Sequence, residues 1–395
     1  MNREDELFRI NDTAFYTFDI RILKERIEYL KTALPKDVSL CYAVKANPFI
    51  VREIECDVDG FEVCSPGEAE ICETLEIPSR KMVISGVYKT PSFIEKLIAD
   101  PDFNGTFTVE SPIQYRMLCD LSLQYGRKIS ILLRLTNDSQ FGMNESDIES
   151  ILLSRDRYPL VNHAGIQYFS GTQKSSVKKF RREIEHLDEW LISLRDQYGY
   201  TAGCLEYGPG FPVSYFTEDE FDEAGYFCEF SKTLEDMSCG TKIVLEIGRG
   251  IAAHCGRYYT HIVDIKQNKG RNYVLVDGGM HHIVYFGQSM AIKQPKLSVV
   301  GKPCAETETQ WMICGSLCSM NDIIAKQVPL PDVEIGDIIC FENTGAYCMT
   351  EGISLFLTRE IPAVYLIREN GEAVCVRQAY ETSQLNLPKY GREQV

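Results

Sequence analysis

The run "SLCYAV" (39–44) ends on Lys45, and "KANP" then closes the segment on Asn47 and Pro48. A cation where a buried strand runs out is costly unless it is paired. A solvated surface lysine and one half of an ion pair are the simplest readings; a lysine that does chemistry is the third. Other polar residues collect behind comparable runs: Glu62 and Ser65 in "GFEVCS", Arg134 in "KISILLRL", "SGTQ" at 170–173, "GPG" at 208–210, and Glu246 with Arg249 in "KIVLEIGR". Two glycine-rich turns and an arginine can hold a phosphate through backbone N–H groups and a bidentate guanidinium. A buried glutamate can face a ring nitrogen and keep it protonated. An amine kept uncharged by burial condenses with an aldehyde. Phosphate, protonated pyridine and an aldehyde that takes up an amine together describe pyridoxal 5′-phosphate. Each signal alone is common, since most glycine-rich turns only turn the chain.

These residues need elements to position them. Eight short apolar or β-branched runs read as strands: 38–46, 60–65, 82–86, 105–111, 128–135, 163–170, 204–210 and 242–248. Amphipathic stretches at 67–76, 111–125 and 177–199 separate some of them, and Ser111 is placed to cap the second. A doubly wound sheet gives the same rhythm, but eight strand–helix units within residues 38–248 match the length of a (β/α)8 barrel. In a barrel the polar residues at the strand ends share one face. After about residue 258 the rhythm changes to strands broken by Gly and Asn turns, with "ENGE" (369–372) as a hairpin signal. The expectation is an α/β protein: an N-terminal segment (1–24) joining a β domain, a (β/α)8 barrel (25–258), and a second, mainly antiparallel β domain (259–395).

Composition narrows the function. At 44% hydrophobic and 25% charged the chain is globular. A net charge of −16 argues against a nucleic-acid partner or an anionic membrane surface, both of which need a basic face. No run is long and apolar enough for a membrane span, and the charged N-terminus lacks a signal-peptide core. The 15 cysteines are odd in number and lack CxxC pairs, so they read as reduced thiols of a cytoplasmic protein. The six histidines show no ligand spacing with cysteine, so no metal site is expected.

"YAVKAN" (42–47) resembles the signature of the fold-type III pyridoxal-phosphate decarboxylases, the group of ornithine, arginine and diaminopimelate decarboxylases. The likeness runs nearly end to end. "GFEVCSPGE" (60–68) is similar to the segment that places acidic residues near the cofactor, "LLRL" (132–135) to the strand with an arginine near the phosphate side, "GTQ" and "GPGF" (208–211) to the phosphate loops, and "LEIGR" (245–249) to the EPGR motif. "DGGMHH" (277–282), "CGSLCSMND" (314–322) and "TGAY" (344–347) resemble motifs of the family's β domain. The resemblance implies that Lys45 holds the cofactor and that Glu246 meets its pyridine nitrogen. Glu62, Arg134, Gly171, Gly208, Gly210, Gly248 and Arg249 would then line its site, and Tyr347 would hydrogen-bond its phosphate. Cys318 would be the thiol that protonates the intermediate, with Asp322 supporting the site. It also implies a head-to-tail homodimer with shared active sites.

Four departures bear on the substrate. Phe169 stands where the family stacks a histidine on the cofactor ring, which keeps an aromatic face but no imidazole. "GGG" is "GPG" and "EPGR" is "EIGR". Ser319 follows the cysteine where the diaminopimelate enzymes have a glutamate. Residues 281–290 lack their arginine for a distal carboxylate, while His281 and His282 there are groups that can be protonated or hydrogen-bond a carboxylate; for at least one of them a structural role beside the turn is the simpler reading. An unpaired charge in such a pocket is costly. The pattern implies α-decarboxylation of an amino acid or a modified or carrier-protein-linked derivative in a biosynthetic pathway. The alternatives are meso-diaminopimelate decarboxylation, an amino-acid racemase on the same barrel, and an inactive homologue acting as a binding partner. A racemase needs a second base on the opposite face, and an inactive homologue usually loses the lysine or the cysteine.

Overall fold

The computed structural model describes residues 3–288, 291–303 and 309–388. In chain order the strands are β1 (Phe15–Asp19), β2 (Ser39–Ala43), β3 (Gly60–Val63), β4 (Met82–Ile84), β5 (Thr106–Val109), β6 (Ile129–Leu135), β7 (Val161–Phe169), β8 (Cys204–Gly208), β9 (Lys242–Ile247), β10 (Gly256–Asn268), β11 (Arg271–Val276), β12 (Leu297–Val299), β13 (Gln310–Cys314), β14 (Ile323–Pro329), β15 (Ile338–Glu342), β16 (Ala363–Ile367) and β17 (Ala373–Arg377). The helices used below are α1 (Arg3–Ile10), α2 (Ile20–Ala33), α3 (Pro66–Thr74), α4 (Pro91–Ala99), α5 (Pro112–Tyr125), α6 (Glu145–Ser154), α7 (Val177–Tyr198) and α8 (Glu223–Glu235). Two compact units result. One comprises Arg26–Val213 and Phe221–Ile251; the other takes the described residues up to Glu25, Ser214–Glu220 and those from Ala252 onward.

The first unit is the barrel. Strands β2 to β9 run parallel and close on themselves, with β9 pairing β2 from Ser39↔Val244 to Tyr42↔Ile247. Parallel strands covered by helices are buried on both faces and read as continuous apolar runs, which is why all eight runs expected from the sequence are barrel strands. Helices α3 to α8 fill the crossovers from β3 to β9. Ser65 and Ser111 cap α3 and α5, each accepting a hydrogen bond from the backbone N–H three residues on (Glu68 at 3.1 Å, Gln114 at 3.2 Å) with proline at the first helical position. The long α7 buries Phe180, Ile184, Leu187, Leu191 and Leu194, one stripe of its surface. The crossover after β2 differs: it has three single 3₁₀ turns, 44–46, 48–50 and 52–54, in place of a helix. Pro48 forces Asn47 into extended backbone (φ −163°, ψ 104°), so the turn carrying Lys45 cannot grow into an α-helix.

The second unit is a nine-stranded mixed sheet of order β14-β13-β11-β10-β1-β16-β17, with β15 pairing both β10 and β12. Most pairs are antiparallel; β1–β16 and β11–β13 are parallel. "ENGE" closes the β16–β17 hairpin, where the Arg368 N–H donates to the Glu372 carbonyl at 2.8 Å. Phe15 of β1 stacks on Tyr259 of β10, 5.0 Å between ring centroids, in a core with Leu7, Cys340, Ala363 and Tyr365. Among the described residues no helix is long and apolar enough to cross a membrane.

Candidate active site

Lys45 sits in the 3₁₀ turn that follows β2. The registers Ala43↔Glu62 and Cys41↔Glu246 bring carboxylates from β3 and β9 to either side of it. Its ammonium pairs with Glu62 Oε2 and, at 3.3 Å, with Glu246 Oε1, and donates to Cys64 Sγ at 3.5 Å. Both carboxyl side chains are almost fully buried (3% and 7% exposed), while the lysine side chain is 38% exposed. One cation between two buried acids cannot hold both ionised. For Glu62, burial alone would raise the pKa, but the Lys45 ammonium and hydrogen bonds from Glu246 and Lys45 outweigh it and the carboxylate stays ionised. Glu246 is pushed well above the carboxylate range, first by burial and then by the Glu62 charge, with Lys45 opposing. The pair therefore shares one proton, held on Glu246.

A polar layer crosses the barrel interior beside this pair. Arg134, Gln167 and Glu206 occupy one row, in register across β6, β7 and β8. The Gln167 amide donates to Glu206 Oε1 at 2.8 Å and to Glu246 Oε2 at 3.4 Å. Burial pushes Glu206 up to about 7, a rise that its bond from Gln167 opposes and the Glu62 charge reinforces. Arg134 is held by Glu110 at 2.5 Å and covers the Phe141 ring, with its guanidinium carbon 4.8 Å from the ring centroid. The other Glu110 oxygen accepts from the Gly142 N–H at 2.9 Å. Lys89, also buried, donates to the Gly86 carbonyl, Thr108 and Gln114, and burial lowers it to about 8.

The glycine turns meet backbone to backbone. Gly210 has φ +60°, and a Cβ there would fall 2.0 Å from the Gly171 carbonyl oxygen, so no other residue fits. The Lys174 N–H donates to the Gly210 carbonyl at 2.9 Å, and the Gln173 side chain both donates to the Val213 carbonyl (3.0 Å) and accepts from its N–H (2.7 Å). Gly208 leaves room for the Phe169 ring, which ends β7. Buried Arg249 donates from Nε to Thr172 Oγ1 at 3.3 Å, and Gly248 makes the bend between β9 and the short helix that Arg249 opens. Ser65, which the sequence placed among the strand-end polar groups, is spent as a helix cap.

The remaining candidates belong to the sheet unit. Cys318 is exposed and Ser319 half-buried on the turn between β13 and β14. Asp322 is buried, and its two oxygens accept the Met280 N–H (2.7 Å) and the Leu317 N–H (2.8 Å). A Cβ on Gly315 would lie 2.2 Å from that carboxylate, so glycine lets the turn close on it. Asp322 thus joins the 279–280 turn to the one that carries Cys318. His282 is buried with both ring nitrogens engaged, by the Tyr258 hydroxyl at 3.0 Å and the Glu360 carbonyl at 2.7 Å. His281 packs on it, 3.9 Å between ring centroids, and burial lowers the two to about 3 and about 4. Tyr347 has a left-handed backbone (φ 64°), and its carbonyl accepts the Thr350 and Glu351 N–H groups.

Gln167, Glu206, Glu110, Lys89 and Lys174 were not singled out from the sequence. Gln167 and Glu206 carried a visible signal, a polar residue inside an apolar strand run ("GIQYF", "CLEYG").

Residues 15–345 match the family model described as pyridoxal-dependent decarboxylase, C-terminal sheet domain. The chain is 24% identical to L-glutamyl-[BtrI acyl-carrier protein] decarboxylase of Niallia circulans, over 93% of this chain and 91% of that protein. It is 25% identical to diaminopimelate decarboxylase of Aquifex aeolicus, over 94% and 90% of the two chains. Its fold matches the crystal structure of diaminopimelate decarboxylase from Helicobacter pylori complexed with L-lysine, with a TM-score of 0.84 at 22% identity over 97% of this chain and 98% of that one. With a lysine held between two acids at the end of a barrel strand and a model match over most of its length, the chain belongs to the fold-type III pyridoxal-dependent decarboxylases and is an amino-acid decarboxylase that uses pyridoxal 5′-phosphate.

Proposed function

We propose that Lys45 is the residue that holds the cofactor, and that the enzyme removes the α-carboxylate of a modified or carrier-protein-linked amino acid. The observation that carries this is the Lys45 ammonium between Glu62 and Glu246. The residues fit the cofactor: an amine near two acids, a protonated buried carboxyl, and two glycine turns closed on each other beside an arginine. When bound, pyridoxal phosphate supplies a carbonyl for an amine and a ring that takes up the electron pair left as carbon dioxide departs. Glu62 keeps the Lys45 amine oriented and takes part of its charge. Glu246, which already holds a proton, presents it to the ring nitrogen. Gly171, Gly208, Gly210, Gly248 and Arg249 bind the phosphate together with Tyr347, and Phe169 supplies an aromatic face to the ring. Glu110 holds Arg134 at the end of β6, where it orders the wall of the site.

Cys318 returns a proton to the substrate's α-carbon, on a turn that Asp322 holds in shape. The enzyme acts as a homodimer in which Cys318 of one chain serves Lys45 of the other. The family resemblance supports this, as do free thiols at every described cysteine for action in the cytoplasm. Ser319 in place of a glutamate, and His281 and His282 in place of an arginine, favour a substrate whose distal end is neutral or tethered. Both histidines are held neutral, so neither offers a distal carboxylate a cation. Decarboxylation of meso-diaminopimelate is the second reading, supported by the relative from Aquifex aeolicus.

The test is spectroscopic. Wild-type protein reconstituted with pyridoxal phosphate should show the visible-edge absorbance of lysine-bound cofactor, and Lys45→Ala should lose it. An unchanged spectrum in the variant would remove Lys45 from the role. Carbon dioxide release across a panel of free and carrier-bound amino acids then identifies the substrate.

A further inference from the structure

Behind the two glycine turns lies a partly buried charged cluster that the chemistry above does not use. Lys174 donates to Ser170 Oγ, to Glu183 Oε2 at 2.6 Å and to the Tyr207 hydroxyl at 3.1 Å, and its ammonium lies 5.1 Å from the Tyr207 ring centroid. Ser170 and Tyr207 each donate to the same Glu183 oxygen, at 2.7 and 2.8 Å. The Lys174 side chain is only 8% exposed. The four groups come from three elements. Ser170 follows β7 and immediately precedes Gly171; Tyr207 is the β8 residue immediately before Gly208; Glu183 stands on α7. The same lysine's backbone N–H binds the Gly210 carbonyl, so it grips both turns at once.

We propose that Lys174 is a positioning residue for the cofactor's phosphate: by joining Ser170, Tyr207 and Glu183 it fixes the spacing of the Gly171 and Gly208–Gly210 turns. This rests on the reading that those turns bind the phosphate. An ammonium has three protons, and Ser170, Glu183 and Tyr207 take all three, so Lys174 acts on the turns and not as a phosphate ligand. The turns need such a fastening. Gly171 (φ +127°) and Gly210 (φ +60°) have no side chains to lock their backbone, and free glycine turns lose the most conformational freedom on ordering. An ion pair as little exposed as this one, 8% and 21% for its two side chains, is sensitive to loss of one partner, since the other charge is then left unpaired. Two acceptors, one from each strand end, make the geometry specific to this pair of turns.

The experiment compares two ligands on the apoprotein: pyridoxal phosphate, and pyridoxal, which lacks the phosphate. Dissociation constants are measured by equilibrium dialysis for wild type, Lys174→Met, Glu183→Gln and the double variant Lys174→Met/Glu183→Leu, which removes both charges and guards against misfolding of the single ones. Each variant should bind pyridoxal phosphate at least tenfold more weakly and pyridoxal within twofold of wild type. Glu183→Gln is the sharpest arm. If Lys174 were itself a phosphate ligand, losing its counter-charge would tighten pyridoxal phosphate; the clamp requires it to loosen. Tighter binding in that variant, or an equal change for both ligands, overturns the proposal. Failure of the phosphate reading shows elsewhere, as wild-type protein that binds the two ligands equally well.

Discussion

Glu206→Gln in the apoprotein should stabilise the barrel above about pH 4.5, by an amount that grows until it levels off above about pH 7. Glu206 is buried on β8, facing Gln167 on β7, Arg134 on β6, Glu246 on β9, Glu62 on β3, Cys41 on β2 and Lys45. Burial raises it from an ordinary 4.5 to about 7. Because the folded pKa is the higher one, the folded chain binds more protons than the unfolded chain between those values. Stability from this group is complete below about pH 4.5 and is lost as pH rises through about 7. A gap of about 2.5 in pKa, at about 1.36 kcal/mol for each, corresponds to about 3 kcal/mol of destabilisation by pH 8.

Glutamine keeps an oxygen for the Gln167 amide and carries no charge, so the variant escapes this loss. It also removes one of the charges that raise Glu246, which acts in the same direction. The assay is urea unfolding of apoprotein from pH 4.5 to 8.5, read by Trp190 on α7 in a Trp311→Phe background so that the signal comes from the barrel unit. The stability of Glu206→Gln minus that of its parent should climb by about 3 kcal/mol across that range, no faster than about 1.4 kcal/mol per pH unit. Taking the difference cancels the titrating groups that do not interact with Glu206. A flat difference, or a variant that is less stable at pH 8, would mean that Glu206 ionises without cost and that the polar layer is not starved of positive charge.

Three further outcomes follow from the same geometry. Asp322→Asn replaces one acceptor with a donor facing a buried N–H, Met280 or Leu317, and should cost about 1–3 kcal/mol, seen as an earlier unfolding transition of Trp311; a change under about 0.5 kcal/mol would refute the bracing role. Mixing inactive Lys45→Ala and Cys318→Ala protomers should restore part of the activity, because one hybrid site then carries both residues; no recovery despite proven subunit exchange would show that each site is built within one chain. With meso-diaminopimelate, kcat/KM should fall well below about 10⁴ M⁻¹s⁻¹, and a value at or above it would restore that substrate.

Much of this was legible in the residues, for reasons that differ between the two units. The barrel strands show because burial on both faces leaves uninterrupted apolar runs, and the strand-end residues show because a charge directly behind such a run needs a cause. Lys45 is visible on those grounds. Its partners are less so: nothing local in "GFEV" or "VLEI" says that Glu62 and Glu246 meet one ammonium 17 and 201 positions away, which only the β2–β3 and β2–β9 registers decide. The missing helix after β2 was also written in the chain, in the proline at 48, but an expectation of regular strand–helix units passes over it.

What the residues could not show is where a polar group spends its hydrogen bonds. Asp322 and Ser65 stand in motifs where a ligand role is natural, yet in each the side-chain oxygens go to backbone N–H groups. Lys174 and Glu183 look like an ordinary solvated pair at the start of a helix, but the loop folds the lysine inward until it is more buried than the catalytic candidate Lys45. That inversion has a physical reason. An amine that must take up a ligand has to keep part of its surface open, whereas an ammonium that holds two turns together is most effective when its three protons are all used and water cannot compete for them. On the proposed roles, burial separates the two lysines by task, and it is set by loop geometry, which neither residue type nor spacing encodes.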